Sequence, residues 1–345
     1  MPAPTVNALV PTLFLTDADV AALADWPAAV AALAQAYAQA VPAQSVPPRS
    51  MARADGLWLR GLTAISPRHG AGSGHLGCKL IAASPRARCA SYLISLFDPE
   101  TMALTALIDG NRVTGLRTAA TAAVAARHLA PAGPLDLAVL GSGFEAQGAL
   151  DCLLADARRQ GRAVGRVRVY SPTPARREAL AAHAAAQGVA ARACASGQDA
   201  VAGATLVLCA TRSRDETPVL QGDWLAPGAT VLSLGSTLPE QREVDVSTLA
   251  RATTVVADMP EEVLHDTGDA LAAVAAGVPL ASRLLPLHAV VSGQAPARHH
   301  PHDITVYKSV GSALQDVVMA EMLLARARQA GRGTPLPVGI VPVAK

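Results

Sequence analysis

The sequence predicts an α/β protein, a doubly wound parallel sheet joined to a smaller α+β part. Three observations carry that prediction. The 345 residues suit two domains, each large enough to bury a core of its own. From Leu135 onward, apolar strand-like runs alternate with helical stretches, the rhythm of a parallel sheet covered on both faces. Before that point, short strand-like runs follow one another directly, which indicates hairpins and a mostly antiparallel sheet.

Taken in order, Thr16 and Asp19 have the spacing of a cap before DVAALADW, and Pro27 suits the first turn of a second helix running to Ala40. QSVPPRSM ends that helix, because proline lacks an N–H and forces the preceding residue into extended backbone. The runs GLWLRGL, HLGCKLIAA, CASYLISLF and MALTALID read as strands. The last two are joined through Asp98-Pro99-Glu100-Thr101, a turn of type I composition. One helix is expected over 114–130. Then come LDLAVL, a helix from about Glu145, VRVYS, a helix from Ala175, and the strands TLVLCA, TVLSLG, TVVAD and ITVYKS. The apolar face of a final helix, SALQDVVMAEMLLARARQA, is expected to pack back on the first domain. No internal repeat is present.

Composition narrows the function. A chain that is 51% hydrophobic and 16% charged folds compactly. A net charge of +2 and the lack of any basic run interleaved with aromatics predict no nucleic-acid partner. The five cysteines, Cys78, Cys89, Cys152, Cys194 and Cys209, are scattered and odd in number, which suits reduced thiols in the cytoplasm. The opening MPAPTVNALVPTLFLTDADV has no basic region followed by an apolar core, so no leader is expected. No charge-free apolar run is long enough for a membrane span. His299, His300 and His302 in ARHHPHD have irregular spacing and no carboxylate or cysteine partner, which predicts a solvated loop and no metal.

GHLGCKLIAASP, residues 74–85, sets one lysine inside an otherwise buried strand. Taking an ammonium from water costs several kcal/mol unless an anion compensates it. Either Lys79 reaches back to the surface, or its strand lines a cleft where an anion binds. Period-2 geometry puts Gly77, Lys79 and Ile81 on one face.

AVLGSGFEAQGAL follows a strand and opens a helix, the context in which G-x-G-x-x-G/A marks a dinucleotide site. Gly141 permits the tight turn, Gly143 lets the backbone approach a pyrophosphate, and Ala146 allows close helix–strand packing. Ser142, Phe144 and Glu145 complete the loop, whose backbone N–H groups face an anion. The second strand ends in Ser171, followed by Thr173, Arg176 and Arg177, where an acid would be expected for NAD. Hydroxyls and arginines suit a ribose 2′-phosphate, so NADP(H) is preferred, with NAD(H) admissible. The alternative is that both arginines decorate an exposed helix.

Several stretches taken together resemble the ornithine cyclodeaminase/mu-crystallin family: PPRS (47–50), HLGCKL (75–80), LRTAATAAVAA (116–126), LGSGFEAQ (140–147), GSTLPEQREVD (235–245) and VYKSVGSALQD (306–316). The resemblance implies a Rossmann domain over 118–320 and a discontinuous substrate and dimerisation domain over 1–117 and 321–345, working as a homodimer. It also implies that Lys79, Arg49 and Arg117 converge on a substrate α-carboxylate, and that Thr118 binds cofactor phosphate. Ser309 and Gly311 match a segment that approaches the nicotinamide, which Asp316 supports rather than doing chemistry.

The reaction type turns on GSTLPEQREVD. Cyclodeaminases of the family carry a catalytic aspartate two residues after the glycine matching Gly235; here Thr237 stands there, and it cannot act as a base near neutral pH. The stretch is more similar to the reductase and mu-crystallin branch, which implies NAD(P)H-dependent reduction of a small imino acid such as pyrroline- or piperideine-2-carboxylate or iminosuccinate. Hydride transfer to a C=N carbon needs orientation, a protonated imine and a clamped carboxylate, and Lys79 is the candidate catalytic group. Arg60 shares a strand face with Trp58 and Leu62; it either meets a second substrate carboxylate or is a surface arginine. Two alternatives stand beside reduction: an ornithine-type cyclodeaminase, and an NADPH-dependent binding protein without turnover.

Overall fold

The computed structural model describes residues 11–68, 74–211, 217–337, 339–340 and 342–343. Half of the stretch read for a leader, residues 1–10, lies outside the described residues. Two compact units emerge. One comprises Met1–Ala36, Val41–Arg117 and Ser312–Lys345; the other comprises Tyr37–Ala40 and Thr118–Gly311. The second division falls at 312 instead of the expected 321, because the whole final helix Ala313–Ala330, with its cap Ser312, packs on strands of the first unit.

The strands before the long middle helix are β1 (Leu13–Leu15), β2 (Ser50–Ala54), β3 (Leu57–Ile65), β4 (Leu76–Ser84), β5 (Cys89–Phe97) and β6 (Leu104–Asp109). After it come β7 (Leu135–Leu140), β8 (Val164–Tyr170), β9 (Ala191–Ala193), β10 (Leu206–Cys209), β11 (Thr230–Ser233), β12 (Thr254–Ala257), β13 (Leu284–Pro286) and β14 (Thr305–Lys308), with β15 (Thr334–Pro335) near the end.

In the first unit the sheet order is β15-β1-β6-β5-β4-β3-β2. It is antiparallel apart from the β1–β6 pair. The expected turn between β5 and β6 forms around Asp98 Oδ1, which accepts from Glu100 N at 3.0 Å and from Thr101 N and Oγ1 at 2.8 Å. Thr16 caps the helix Asp17–Leu23 with Asp19 in a capping box, as its spacing predicts. The next helix, Trp26–Tyr37, stops short of Ala40, and the middle helix runs Gly110–Leu129 rather than from 114.

Alternation along β3, β4 and β5 gives that sheet two unlike faces. Leu62, Lys79 and Ile94 lie in register, and with Ala64, Ile81 and Leu96 they are buried on one face. The helix Ala313–Ala330 packs on β3, β4 and β5. It comes so close at Gly77 that a Cβ there would lie 2.4 Å from Val317 Cγ2, so only glycine fits. The other face leaves Leu57, Leu59, Ile65, Leu80 and Leu93 exposed.

The second unit holds an all-parallel sheet of order β13-β12-β14-β11-β10-β7-β8-β9. Its central strands are continuous apolar runs, with Val139, Val207, Val231 and Val306 fully buried, as parallel strands covered on both faces require. Strand order reverses beside β7: β8 and β9 extend to one side, β10 and β11 to the other. Ligands bind at the carboxyl end of such a switch point. The α/β class predicted from sequence is the one found.

Candidate functional site

At the carboxyl end of β7 the chain turns through Gly141 at φ +119°, where a Cβ would come within 2.5 Å of Ala210 O. The Gly141 N–H donates to Tyr170 O at 2.9 Å, and Ser142 Oγ bonds Ser171 Oγ at 2.8 Å, so the loop is tied to the end of β8. Gly143 is the N-cap of the helix Phe144–Arg159; a Cβ built on it meets nothing within 4 Å. Open space before its backbone and a helix start with no side-chain cap are what a pyrophosphate needs. Ala146 is fully buried where this helix packs on β7 and β10, Glu145 sits in the first turn, and Phe144 is 62% exposed. These residues fit a dinucleotide.

Past β8, Ser171 is buried and Thr173 is the N-cap of the helix Pro174–Ala186. Arg176 is exposed, whereas Arg177 folds back, donating from Nη1 to Ser171 O at 3.1 Å with its guanidinium 5.9 Å from the Tyr170 ring centroid. The structure therefore brings Arg177, rather than Arg176, onto the strand end.

In the first unit the question about Lys79 has a direct answer. Its side chain is 1% exposed, and its ammonium lies 2.9 Å from Asp316 Oδ1 and 2.7 Å from Thr114 Oγ1, with the Tyr92 ring centroid 5.6 Å away. The lysine does not reach back to solvent; the compensating anion belongs to the protein itself. Arg117 joins the same oxygen, Nε to Asp316 Oδ1 at 3.4 Å, while its Nη1 donates to Gln315 Oε1 at 3.0 Å. Gln315 and Asp316 occupy the first turn of the final helix, set by a capping box between Ser312 and Gln315. Arg49 lies immediately before β2 and is half-buried. Arg60 pairs in register with Ile81, on the same face as Lys79, and its guanidinium stacks 5.1 Å from the Trp58 ring centroid.

Two further acidic residues organise the carboxyl edge of the parallel sheet. Asp258 accepts from Ser309 Oγ at 2.7 Å, Gly311 N at 2.9 Å and Val310 N at 3.0 Å, which shapes the turn where Gly311 takes φ +80°. Glu243 accepts from Thr211 N at 2.6 Å, Ser233 Oγ at 2.8 Å and Gly235 N at 2.9 Å, joining the ends of β10 and β11. Burial raises its carboxyl above the usual range. Beneath it, Lys308 is ion-paired with Asp269 at 2.8 Å and donates to Ser236 O and Ser233 Oγ. Thr237 is half-buried in the adjoining loop, its N–H on Gln241 Oε1 at 3.0 Å, and Thr118 is buried in the middle helix.

Sequence reasoning passed over Thr114, Gln315, Glu243, Asp258, Asp269 and Lys308. Lys308 carried the same signal as Lys79, a lysine in an apolar strand, and Asp258 ends one. His75 donates from its backbone N–H to Glu321 Oε1 at 2.7 Å. The histidine loop is exposed and turned by Asp303, which accepts from His299 N and His300 N at 2.7 Å. No helix among the described residues is long and apolar enough to cross a membrane.

A fold with a switch-point glycine loop and a separate unit carrying a buried lysine–carboxylate–arginine cluster matches one family model. Residues 12–331 match the ornithine cyclodeaminase/mu-crystallin family, and the chain belongs to it. Among its relatives, ketimine reductase mu-crystallin of Mus musculus is 32% identical over 269 residues, 76% of this chain and 80% of that protein. Δ1-Pyrroline-2-carboxylate reductase of Bacillus cereus is 29% identical over 276 residues, 78% of this chain and 82% of the relative. A solved structure, Thermococcus litoralis Δ1-pyrroline-2-carboxylate reductase in complex with NADH and L-proline, shares the fold at a TM-score of 0.81 and 23% identity, covering 94% of this chain and 100% of that one. The named relatives are oxidoreductases, the class expected from the sequence.

Proposed function

We propose that this chain is an NAD(P)H-dependent reductase of small imino acids, reversible as an L-amino-acid dehydrogenase. The observation that carries the reading is the buried cluster in which Lys79 and Arg117 share Asp316 Oδ1. Two cations fixed side by side form a rigid receptor for an α-carboxylate, with Arg49 as third donor and Arg60 facing the substrate's other end. The reduced nicotinamide supplies the hydride when bound. Lys79 polarises or protonates the imine nitrogen, and the carboxylate clamp aligns the C=N carbon. Gly141, Ser142, Gly143, Phe144, Glu145 and Ala146 hold the pyrophosphate; Arg117, Thr118, Ser309 and Gly311 are assigned to the rest of the cofactor. Ser171, Thr173 and Arg176, with Arg177, favour NADP(H) over NAD(H). Thr237, having no acid to handle an amine, speaks against cyclodeamination.

The exposed apolar face of β3, β4 and β5 supports a homodimer: Leu57, Leu59, Ile65, Leu80 and Leu93 line one side of one sheet. Sedimentation should give a dimer, and Leu59→Lys combined with Leu80→Lys a monomer; a wild-type monomer overturns this part. The activity itself is tested by incubating the protein with NADPH or NADH, then with preformed cyclic imines and with ammonia plus a panel of 2-oxo acids. Oxidation of cofactor by at least one of these is expected, and silence across the panel would exclude the reaction.

A further inference from the structure

The proposed chemistry leaves Asp316 without a role of its own, yet its placement is tightly constrained. Its side chain is 1% exposed and one oxygen serves two cations from two different elements, Lys79 of β4 and Arg117 of the helix Gly110–Leu129. Thr114, one turn before Arg117, accepts from Lys79 Nζ and donates to Gly110 O at 2.7 Å, so its hydroxyl faces the lysine with a lone pair. Gln315, next to Asp316, accepts from Arg117. Consecutive residues on one capped helical turn therefore aim the two cations assigned to the substrate carboxylate.

We infer that Asp316 is a positioning residue that holds Lys79 charged and in register with Arg117, so that the final helix sets both the protonation and the geometry of the carboxylate receptor. The inference rests on the reductase reading for its kinetic consequence, and on the geometry alone for its electrostatic one. Buried ammonium groups give up their proton readily once their counter-charge is removed. Among the charged and titratable groups placed against Lys79 are Asp316 from the final helix and Tyr92 from β5, with Arg117 of the middle helix on the same Asp316 oxygen. Asp316 is the carboxylate in direct contact with the ammonium, at 2.9 Å, and an anion at that distance favours the charged lysine.

Asp316→Asn tests this through two independent readouts. With an imino acid that the wild type reduces, kcat/KM should fall about 100-fold near neutral pH, with NADPH affinity changed by less than about twofold, and the alkaline limb of the rate profile should move to lower pH. The second readout is the melting temperature against pH. A lysine that releases its proton earlier in the folded than in the unfolded chain makes stability rise with pH up to about 10.4, so the deficit of the variant should shrink as pH rises from 6 to about 10. Adding Lys79→Met to the variant should remove that slope, and Asp316→Glu should restore part of the activity. A deficit of equal size at every pH, or kcat/KM within about threefold of wild type, would overturn the inference. A wild type inactive on every imino acid would instead defeat the reductase reading, while the melting curves still decide the electrostatic claim.

Discussion

Two lysines, one in each unit, are buried to 1% exposure inside apolar strands, and they are held in different ways. Lys308 pairs with Asp269, donates to Ser236 O and Ser233 Oγ, and sits beneath Glu243, whose own oxygens take Thr211, Ser233 and Gly235. That network is inward-looking: it joins strand ends and fixes the loop that carries Thr237. Lys79 shares its carboxylate with a second cation, Arg117, on the face of its sheet that the final helix covers. One arrangement closes a structure, the other gathers positive charge at one place, and only the second resembles a receptor. A buried lysine in a sequence is therefore a question about its partners, and the partners decide between fold and chemistry.

The largest expected effect tests the closed network. Lys308→Met leaves Asp269 buried without that cation and should destabilise the protein by about 3–5 kcal/mol, measured by urea unfolding. Lys79→Met should cost clearly less stability, because Asp316 keeps Arg117. Equal losses for the two would erase the distinction drawn between them. Next, Lys79→Met should lower kcat/KM for an imino acid by about 10²–10³-fold, roughly 3–4 kcal/mol of transition-state binding, while cofactor affinity stays unchanged. In the second unit, Arg176→Ala combined with Arg177→Ala should weaken NADPH about tenfold and NADH little, about 1.4 kcal/mol of discrimination; equal weakening of both would remove the case for a 2′-phosphate.

The smallest effect concerns Asp245, cap of the helix Val246–Arg251. Desolvation raises its carboxyl, but hydrogen bonds from Ser247, Thr248 and Gly222 outweigh that and hold it below the usual range. A carboxyl lowered in the folded state stabilises above its unfolded value and loses that contribution as pH falls through the folded one. Asp245→Ala should therefore cost about 1 kcal/mol at neutral pH, with the difference from wild type fading below about pH 4.

What the sequence made legible was local. Gly141, Gly143 and Ala146 work through their own backbone and immediate neighbours, so a strand–glycine–helix pattern was enough to find them. The face shared by Gly77, Lys79 and Ile81 follows from strand period alone. The partner of Lys79 was out of reach, because Asp316 lies 237 residues away and meets it only once the last helix lies across the first sheet. Asp258 and Glu243 are likewise joined to their loops by tertiary packing. Strands β1 and β2 escaped notice because one is three residues long and the other, SMARA, has little apolar alternation. Helix ends drifted at Tyr37 and at Gly110; the latter start is capped by Asp109, whose Oδ1 accepts from Asn111 N at 3.0 Å, but in the sequence Asp109 reads as the end of a strand.

The most direct test of the central claim is a crystal structure with NADPH and a non-reacting mimic of a cyclic imino acid, such as pyrrole-2-carboxylate. Its carboxylate should lie within hydrogen-bond reach of Lys79 or Arg117, with the ring carbon facing the nicotinamide. A carboxylate seated away from both side chains, with the Lys79–Asp316 pair untouched, would contradict the account.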